Sequence, residues 1–279
     1  MPFTTVRGVG INYTVLGNSG PWVALSPGGR RPLEAVKSIA ARIAAAGYRV
    51  LIHDRRNCGS SDVAIEGDEP EAEIWASDLA ALLAQLEARP ALVGGGSSGS
   101  RLAVLLALRH PDYVRALCLW RVTGGQFAAN RLAEEYYGQY IKVAERGGMT
   151  AICETEHFRD RIAARPSNRE RLLAMNPRNF IAVMARWREY FLEGAEDPML
   201  GASEPQLRSI RMPVCVFPGN DRTHPRSVGR RLGGLLPHVE VHELFTEDLD
   251  ADVAPLESWD SKEPEFVSIC VDFFKRVTH

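Results

Sequence analysis

Ala91-Leu92-Val93-Gly94-Gly95-Gly96-Ser97-Ser98-Gly99-Ser100 is the stretch whose reading decides the fold. A short apolar run ends in glycines, a serine follows, and Arg101-Leu102-Ala103-Val104-Leu105-Leu106-Ala107-Leu108-Arg109-His110-Pro111 then reads as a helix. Inside it, Gly95-Gly96-Ser97-Ser98-Gly99 fits G-x-S-x-G, in which a serine is lifted above a sheet on a sharp strand-to-helix turn. A turn that tight brings backbone against backbone, and a Cβ on either flank would collide with it. Gly/Ser-rich turns also occur in ordinary βα loops, so the meaning of the serine depends on what surrounds it.

Working outward, strands and helices alternate on both sides of this turn. Gly10 to Leu16 alternates and reads as an edge strand, with Gly17-Asn18-Ser19-Gly20 as a hairpin turn and Trp22 to Ser26 as the returning strand. Pro27-Gly28-Gly29-Arg30-Arg31 then opens an amphipathic helix from about Leu33 to Ala46, and Tyr48 to His53 is a buried strand. A polar loop (Asp54 to Asp62) and an acidic stretch (Glu66 to Glu73) lead to a helix over about Ile74–Leu86, ahead of the central turn. Val114 to Trp120 is the next strand. From about Val122 to Arg208 the pattern turns helical: Asn130–Arg146, Met149–Arg159 and Asn179–Glu193. Strand and helix signals return with Pro213–Pro218, a helix over about Ser227–Leu236, a strand at Val239–Phe245 and a terminal helix. This order predicts an α/β fold: a mostly parallel central sheet flanked by helices, with an inserted helical cap over the carboxyl ends of the strands. The expected units are 1–121 and 209–279 for the two parts of the core and 122–208 for the cap.

Composition narrows the possible functions. The chain has 279 residues, 45% hydrophobic and 24% charged, which suits one large globular domain with an insertion. A formal net charge of −2 gives no footing for nucleic acid or an anionic membrane as partner. No apolar stretch approaches the ~18 residues of a membrane span, and the first residues lack a basic segment followed by an apolar one. Five scattered cysteines show no C-x-x-C spacing, and the three that lie in apolar runs read as buried thiols rather than metal ligands. The expectation is a cytoplasmic protein with a small-molecule substrate, no metal and no organic cofactor. Its oligomeric state is left open.

Taken together, the chain resembles the α/β-hydrolase superfamily in its capped form. Ser26-Pro27-Gly28-Gly29 sits where that family has its His-Gly oxyanion loop, and Asp54-Arg55-Arg56-Asn57-Cys58-Gly59-Ser60-Ser61-Asp62 is similar to its D-x-R-G-x-G-x-S loop. Gly95–Gly99 matches the elbow, and Gly219-Asn220-Asp221 is similar to the turn that carries the acid. The resemblance implies Ser97 as nucleophile, Asp221 as the acid that orients a histidine, and the backbone N–H groups of Gly29 and Ser98 as an oxyanion hole.

One member of the set is out of place. The family's histidine follows the last strand, but here that loop, Thr246 to Lys262, contains none. A serine without a base stays protonated and is a poor nucleophile. Among the seven histidines, His224 and His157 are candidate surrogate bases and His53 a weaker one; Asp248 or Asp250 could serve only if burial raised a carboxyl pKa. His110, His238, His242 and His279 fall at the wrong ends of their elements, in mid-strand or at the end of the sequence. Three readings therefore stand: a serine hydrolase of small esters, lactones or activated C–C bonds with an unusually placed base; a lyase or isomerase on the same scaffold; and a degenerate ligand-binding member. Trp120 and Arg121, at a strand end, are expected to line the cleft. Arg121 would serve either as an anchor for a substrate carboxylate or as the partner of a cap acid, with Tyr136, Tyr137, Trp187 and Tyr190 adding aromatic walls.

Overall fold

The computed structural model describes residues 2–278. Among the described residues, eight strands form one sheet in the order β1-β2-β4-β3-β5-β6-β7-β8. These are β1 (Phe3–Val6), β2 (Val9–Leu16), β3 (Trp22–Ser26), β4 (Arg49–His53), β5 (Ala91–Gly96), β6 (Val114–Trp120), β7 (Val214–Phe217) and β8 (Val239–Val241). From β4 to β8 all pairings are parallel, while β1 and β2 join antiparallel. The parallel strands are buried on both faces, which is why β3, β5 and β7 read as continuous apolar runs.

One face carries α1 (Lys37–Ala45) and α12 (Glu263–Thr278), which bring Ala40, Ile43, Phe266 and Phe274 onto Val50, Ile52 and Phe217. The other carries α2 (Glu71–Gln85), α3 (Ser98–Arg109) and α10 (Arg226–Leu235), with Trp75, Leu79, Leu102, Leu106 and Leu232 inward. Between β6 and β7 lie α4 (Gln126–Ala133), a π-helical turn (Glu134–Gly138), α5 (Gln139–Cys153), α6 (Glu156–Ala164), α7 (Ser167–Ala174), α8 (Pro177–Glu193) and α9 (Glu204–Ser209). This block has its own apolar cluster (Leu132, Tyr137, Phe158, Phe180, Trp187), and Val63, Ile65 and Ile74 join it from the loop and helix below.

Two details depart from the sequence reading. The hairpin expected at Gly17–Gly20 does not form: β2 pairs with β4, and β3 lies on the far side of β4. The hairpin in the fold joins β1 to β2 through Arg7 (φ 47°) and Gly8 (φ 79°), the paired positive φ values of a tight two-residue turn. The last strand stops at Val241, because the chain turns away toward α11 (Leu256–Asp260), so His242 stands just past a strand end rather than within one.

Candidate active site

Ser97 stands between β5 and α3 with φ 53° and ψ −114°, a backbone state that residues bearing a Cβ rarely hold. Its surroundings enforce it. A Cβ at Gly95 would overlap the Gly99 carbonyl, and one at Gly99 would overlap the carbonyl of Ser26. The Ser97 N–H donates to the Trp120 carbonyl (3.0 Å), and Ser100 Oγ bridges the carbonyls of Gly95 (2.7 Å) and Trp120 (2.9 Å). The serine is thereby fixed at the carboxyl edge of the sheet.

The acid and a histidine arrive together after β7. Gly219 lets the chain fold back so closely that a Cβ there would overlap His224. Asp221 Oδ1 then accepts the backbone N–H groups of Thr223 (3.0 Å) and His224 (2.8 Å), closing the turn. In that turn His224 Nδ1 lies 2.8 and 3.0 Å from the two carboxylate oxygens, and Nε2 lies 2.9 Å from Ser97 Oγ. A carboxylate can only accept, so Nδ1 carries the ring proton and Nε2 is free to accept from the serine hydroxyl. A ring so placed can take the hydroxyl proton as the oxygen attacks.

The electrostatics keep both groups in the required charge state. Burial alone would raise the Asp221 carboxyl, but His224, the Ala254 N–H (2.8 Å) and Arg121 Nη2 (3.2 Å) hold it down to about 2. Burial depresses His224; the bond to Asp221 opposes this and nearby Arg121 reinforces it, leaving the ring below its ordinary value and neutral near pH 7. The loop that lacks a histidine still reaches this site by its backbone. Arg222 N–H donates to the Ala251 carbonyl (3.0 Å), Thr223 N–H and Oγ1 donate to the Asp252 carbonyl (3.1 and 2.6 Å), and Ala254 caps the acid.

The other candidate bases lie elsewhere. His157 lines a neighbouring cavity, and burial, with Arg30 and Arg161 next, pushes it well below its usual pKa. His53 is buried with neither ring nitrogen bonded among the described residues, and burial and Arg55 push it down to about 3. Asp248 is exposed and pairs with Arg226 (3.2 Å), and Asp250 is exposed. His279 lies outside the described residues.

A cavity of about 350 Å³ opens over Ser97 and His224, lined also by Gly28, Gly29, Arg30 and Tyr136. Gly29 (φ 54°) presents its carbonyl to Ser98 Oγ (2.8 Å) and to Arg55 Nη2 (2.6 Å), while Arg55 Nη1 donates to Ser98 Oγ (2.8 Å). The Asp54–Asp62 loop thus clamps the glycine turn against the start of α3, where the first N–H groups have no intrahelical acceptor. Asp54 holds that loop in turn, accepting from Leu33 N (2.6 Å), Asn12 Nδ2 and Ser60 N (both 2.8 Å). Sequence reading did not single out Arg55, which occupies the variable position of the D-x-R pattern; the patterned arginine is Arg56, which pairs with Asp78 (2.6 and 2.8 Å).

Three expectations about the cleft need correction. Trp120 is buried in the core, ring against Phe266 (5.2 Å), and does not line the cavity over Ser97, because its side chain falls on the α12 face of the sheet. Arg121 lines the cavity but pairs with Asp221 rather than with a cap acid. Tyr137 and Trp187 are buried in the helical cluster, and Tyr136 is the aromatic residue that faces the cavity. Cys215, Glu240 and His242 come within 4.8 Å of one another. Both Glu240 oxygens, however, accept from Arg276 (2.7 and 2.6 Å), and one is 3.0 Å from His242 Nε2, so the group is already charge-compensated.

A strand-borne serine at the sheet edge, with a histidine and an acid after a later strand, defines the α/β-hydrolase class. The family model for the alpha/beta hydrolase fold matches residues 32–247, and the chain belongs to that family. It is 34% identical over 112 residues to an uncharacterized hydrolase, YraK, of Bacillus subtilis, a match spanning 40% of this chain and 41% of YraK's length. It is 25% identical over 246 residues to 2-hydroxymuconate semialdehyde hydrolase of Pseudomonas putida, covering 85% of this chain and 79% of that protein. Among solved structures, the enol-lactonase of Burkholderia xenovorans LB400 superposes with a TM-score of 0.64 at 22% identity, covering 98% of this chain and all of the other. The meta-cleavage product hydrolase CumD of Pseudomonas fluorescens IP01 gives 0.66 at 19%, covering 99% and 98%. At these identities the structural likeness speaks for the fold alone.

Proposed function

We propose that the chain is a serine hydrolase of small organic esters, lactones or activated C–C bonds, with Ser97 as nucleophile, His224 as general base and Asp221 as the orienting acid. The contact that carries this reading is the 2.9 Å separation of His224 Nε2 and Ser97 Oγ. Oγ attacks the substrate carbonyl carbon as its proton passes to His224 Nε2. The resulting oxyanion is met by the N–H groups of Gly29 and Ser98, the first fixed by the Arg55 clamp and the second at the start of α3. Collapse expels the alcohol or enolate, which takes the proton from His224. Water then attacks the acyl-enzyme with His224 again as base, releasing the acid and restoring Ser97. The helical block over 122–208 acts as a cap, contributing Tyr136 and Leu132 to the cavity. The relative named for hydrolysing a semialdehyde favours a small substrate. Five buried free thiols fit a reducing, cytoplasmic setting.

A fluorophosphonate probe followed by peptide mapping tests the assignment. Covalent capture of Ser97, with a burst of nitrophenol from p-nitrophenyl acetate that Ser97→Ala abolishes, is the expected result. No capture, together with no turnover across a broad ester and lactone panel, would sink it in favour of the lyase, isomerase or ligand-binding readings.

A further inference from the structure

Two tyrosines stand side by side on the π-helical turn Glu134–Gly138, and they use their hydroxyls differently. Tyr137 is 1% exposed, and its Oη donates to Glu71 Oε2 (3.0 Å). Tyr136 lines the cavity over Ser97, and its hydroxyl has no hydrogen-bond partner among the described residues. Unlike Arg30 Nε and Nη1 beside it, which are shut inside the protein, this hydroxyl keeps surface open to the cavity. The ring below it is 6% exposed and held from several sides. It meets Tyr137 (6.3 Å) and Phe191 (6.1 Å) edge to face, and the Arg30 guanidinium lies 5.4 Å from its centroid. Phenylalanine would fill the same space without a hydroxyl whose lost hydration nothing in the chain offsets. Where the hydroxyl lies gives it a use. A Cβ added at Gly29 would stand 3.6 Å from Tyr136 Oη, closer than to any other atom around it, so the hydroxyl sits over the glycine turn. It bonds neither Ser97 nor His224, which bond each other. The π turn falls between α4 and α5 at this residue, and such single-turn bulges recur at functional sites. Burial, with Glu135 adding to it, pushes the Tyr136 hydroxyl up to about 12 against the pull of Arg101, Arg30 and Arg55, so it keeps its proton through the neutral range.

We propose that Tyr136 is a third oxyanion donor: its hydroxyl donates to the substrate's carbonyl oxygen as negative charge gathers there, beside the N–H groups of Gly29 and Ser98. The hydroxyl keeps its proton throughout; the proton that moves is the one His224 takes from Ser97 and returns to the leaving group. A donor held by a packed ring needs no reorganisation at the moment of reaction, which is what makes such a group effective. The helical block over 122–208 then completes the catalytic site as well as covering it. The inference rests on the hydrolase reading, whose two steps distinguish it from a donor to the leaving group. The charged oxygen occupies the same place in acylation and deacylation, whereas the alcohol departs only in the first. An oxyanion donor therefore speeds both steps.

The test is Tyr136→Phe, which removes one oxygen and keeps the packed ring. With p-nitrophenyl acetate, the burst rate and the steady-state rate are each expected to fall by at least about tenfold, short of the ~10²–10³ lost with a principal oxyanion donor. KM should stay where it is, because both steps slow together. The inhibition constant of trifluoroacetone, whose adduct with Ser97 carries an oxyanion, should rise by a similar factor. The thermal midpoint should not drop, since the hydroxyl holds no bond within the chain. A smaller fall, a slowed burst with an unchanged steady state, a loss carried by KM alone or a lowered midpoint overturns the proposal and leaves the hydrolase reading standing. A wild type that neither hydrolyses the ester nor is captured at Ser97 by a fluorophosphonate fails that reading itself, and the third donor falls with it.

Discussion

At the residue scale, the arrangement turns on His224, which shares a turn with its acid. His224→Ala should lower kcat/KM by about 10³-fold, the range set by losing a positioned base. Circular dichroism should be unchanged, so that the loss is read as chemistry. Arg121 makes a finer test. It is charged, touches Asp221 and lowers the pKa of both Asp221 and His224. If His224 is the base proposed above, it must be neutral to accept a proton, so kcat/KM should fall on the acid side as it protonates, with an apparent pKa below 6.5. Removing the positive charge in Arg121→Gln makes protonation of His224 easier, so that limb should move to higher pH. A limb that stays put or moves lower would show that Arg121 does not act on the base.

At the level of elements, two glycine-opened turns hold the site, and each can be broken alone. Gly219→Ala would drive a methyl into His224, and Gly99→Ala into the Ser26 carbonyl. Either should cost about 2–3 kcal/mol, as overpacking of buried positions does, measured by urea unfolding. The Gly219 variant should also slow fluorophosphonate capture of Ser97. What was legible follows the same division. Elements defined by their own residues were readable: the elbow, the buried parallel strands and the helical run between β6 and β7. Pairings between distant segments were not. Nothing in Gly10–Leu16 says that it joins β4 rather than Trp22–Ser26, because alternation fixes the faces of a strand and not its neighbour. Ser97, Asp221, Gly29 and Ser98 could be named because the glycine-bearing turns around them resemble the motifs of a known family. His224 could be named only as one candidate among several, because what distinguishes it is its approach to Ser97, a residue far away in the chain.

Across the whole molecule, buried histidines tie folding to pH. His53, His157 and His224 are all held below their ordinary values, first by burial. Above pH 6.5 each is neutral whether the chain is folded or not, so none affects stability. Below it the unfolded chain takes up protons that the folded one refuses, and stability falls by about 1.4 kcal/mol per pH unit for each such group. For His53 the decline continues to about pH 3. His53→Leu should therefore shift the acid unfolding midpoint to lower pH, and an unmoved midpoint would dismiss the idea. The loop from Thr246 to Lys262 has a different consequence. It holds the Asp221–His224 turn through the carbonyls of Ala251 and Asp252 and the N–H of Ala254, groups that almost any residue supplies. A contact of that kind leaves no signature in the sequence and constrains its composition little. The segment is free to drift in the letters it uses while keeping its path, so relatives sharing this arrangement are better sought by the Gly-x-Asp-x-x-His hexad than by anything after the last strand.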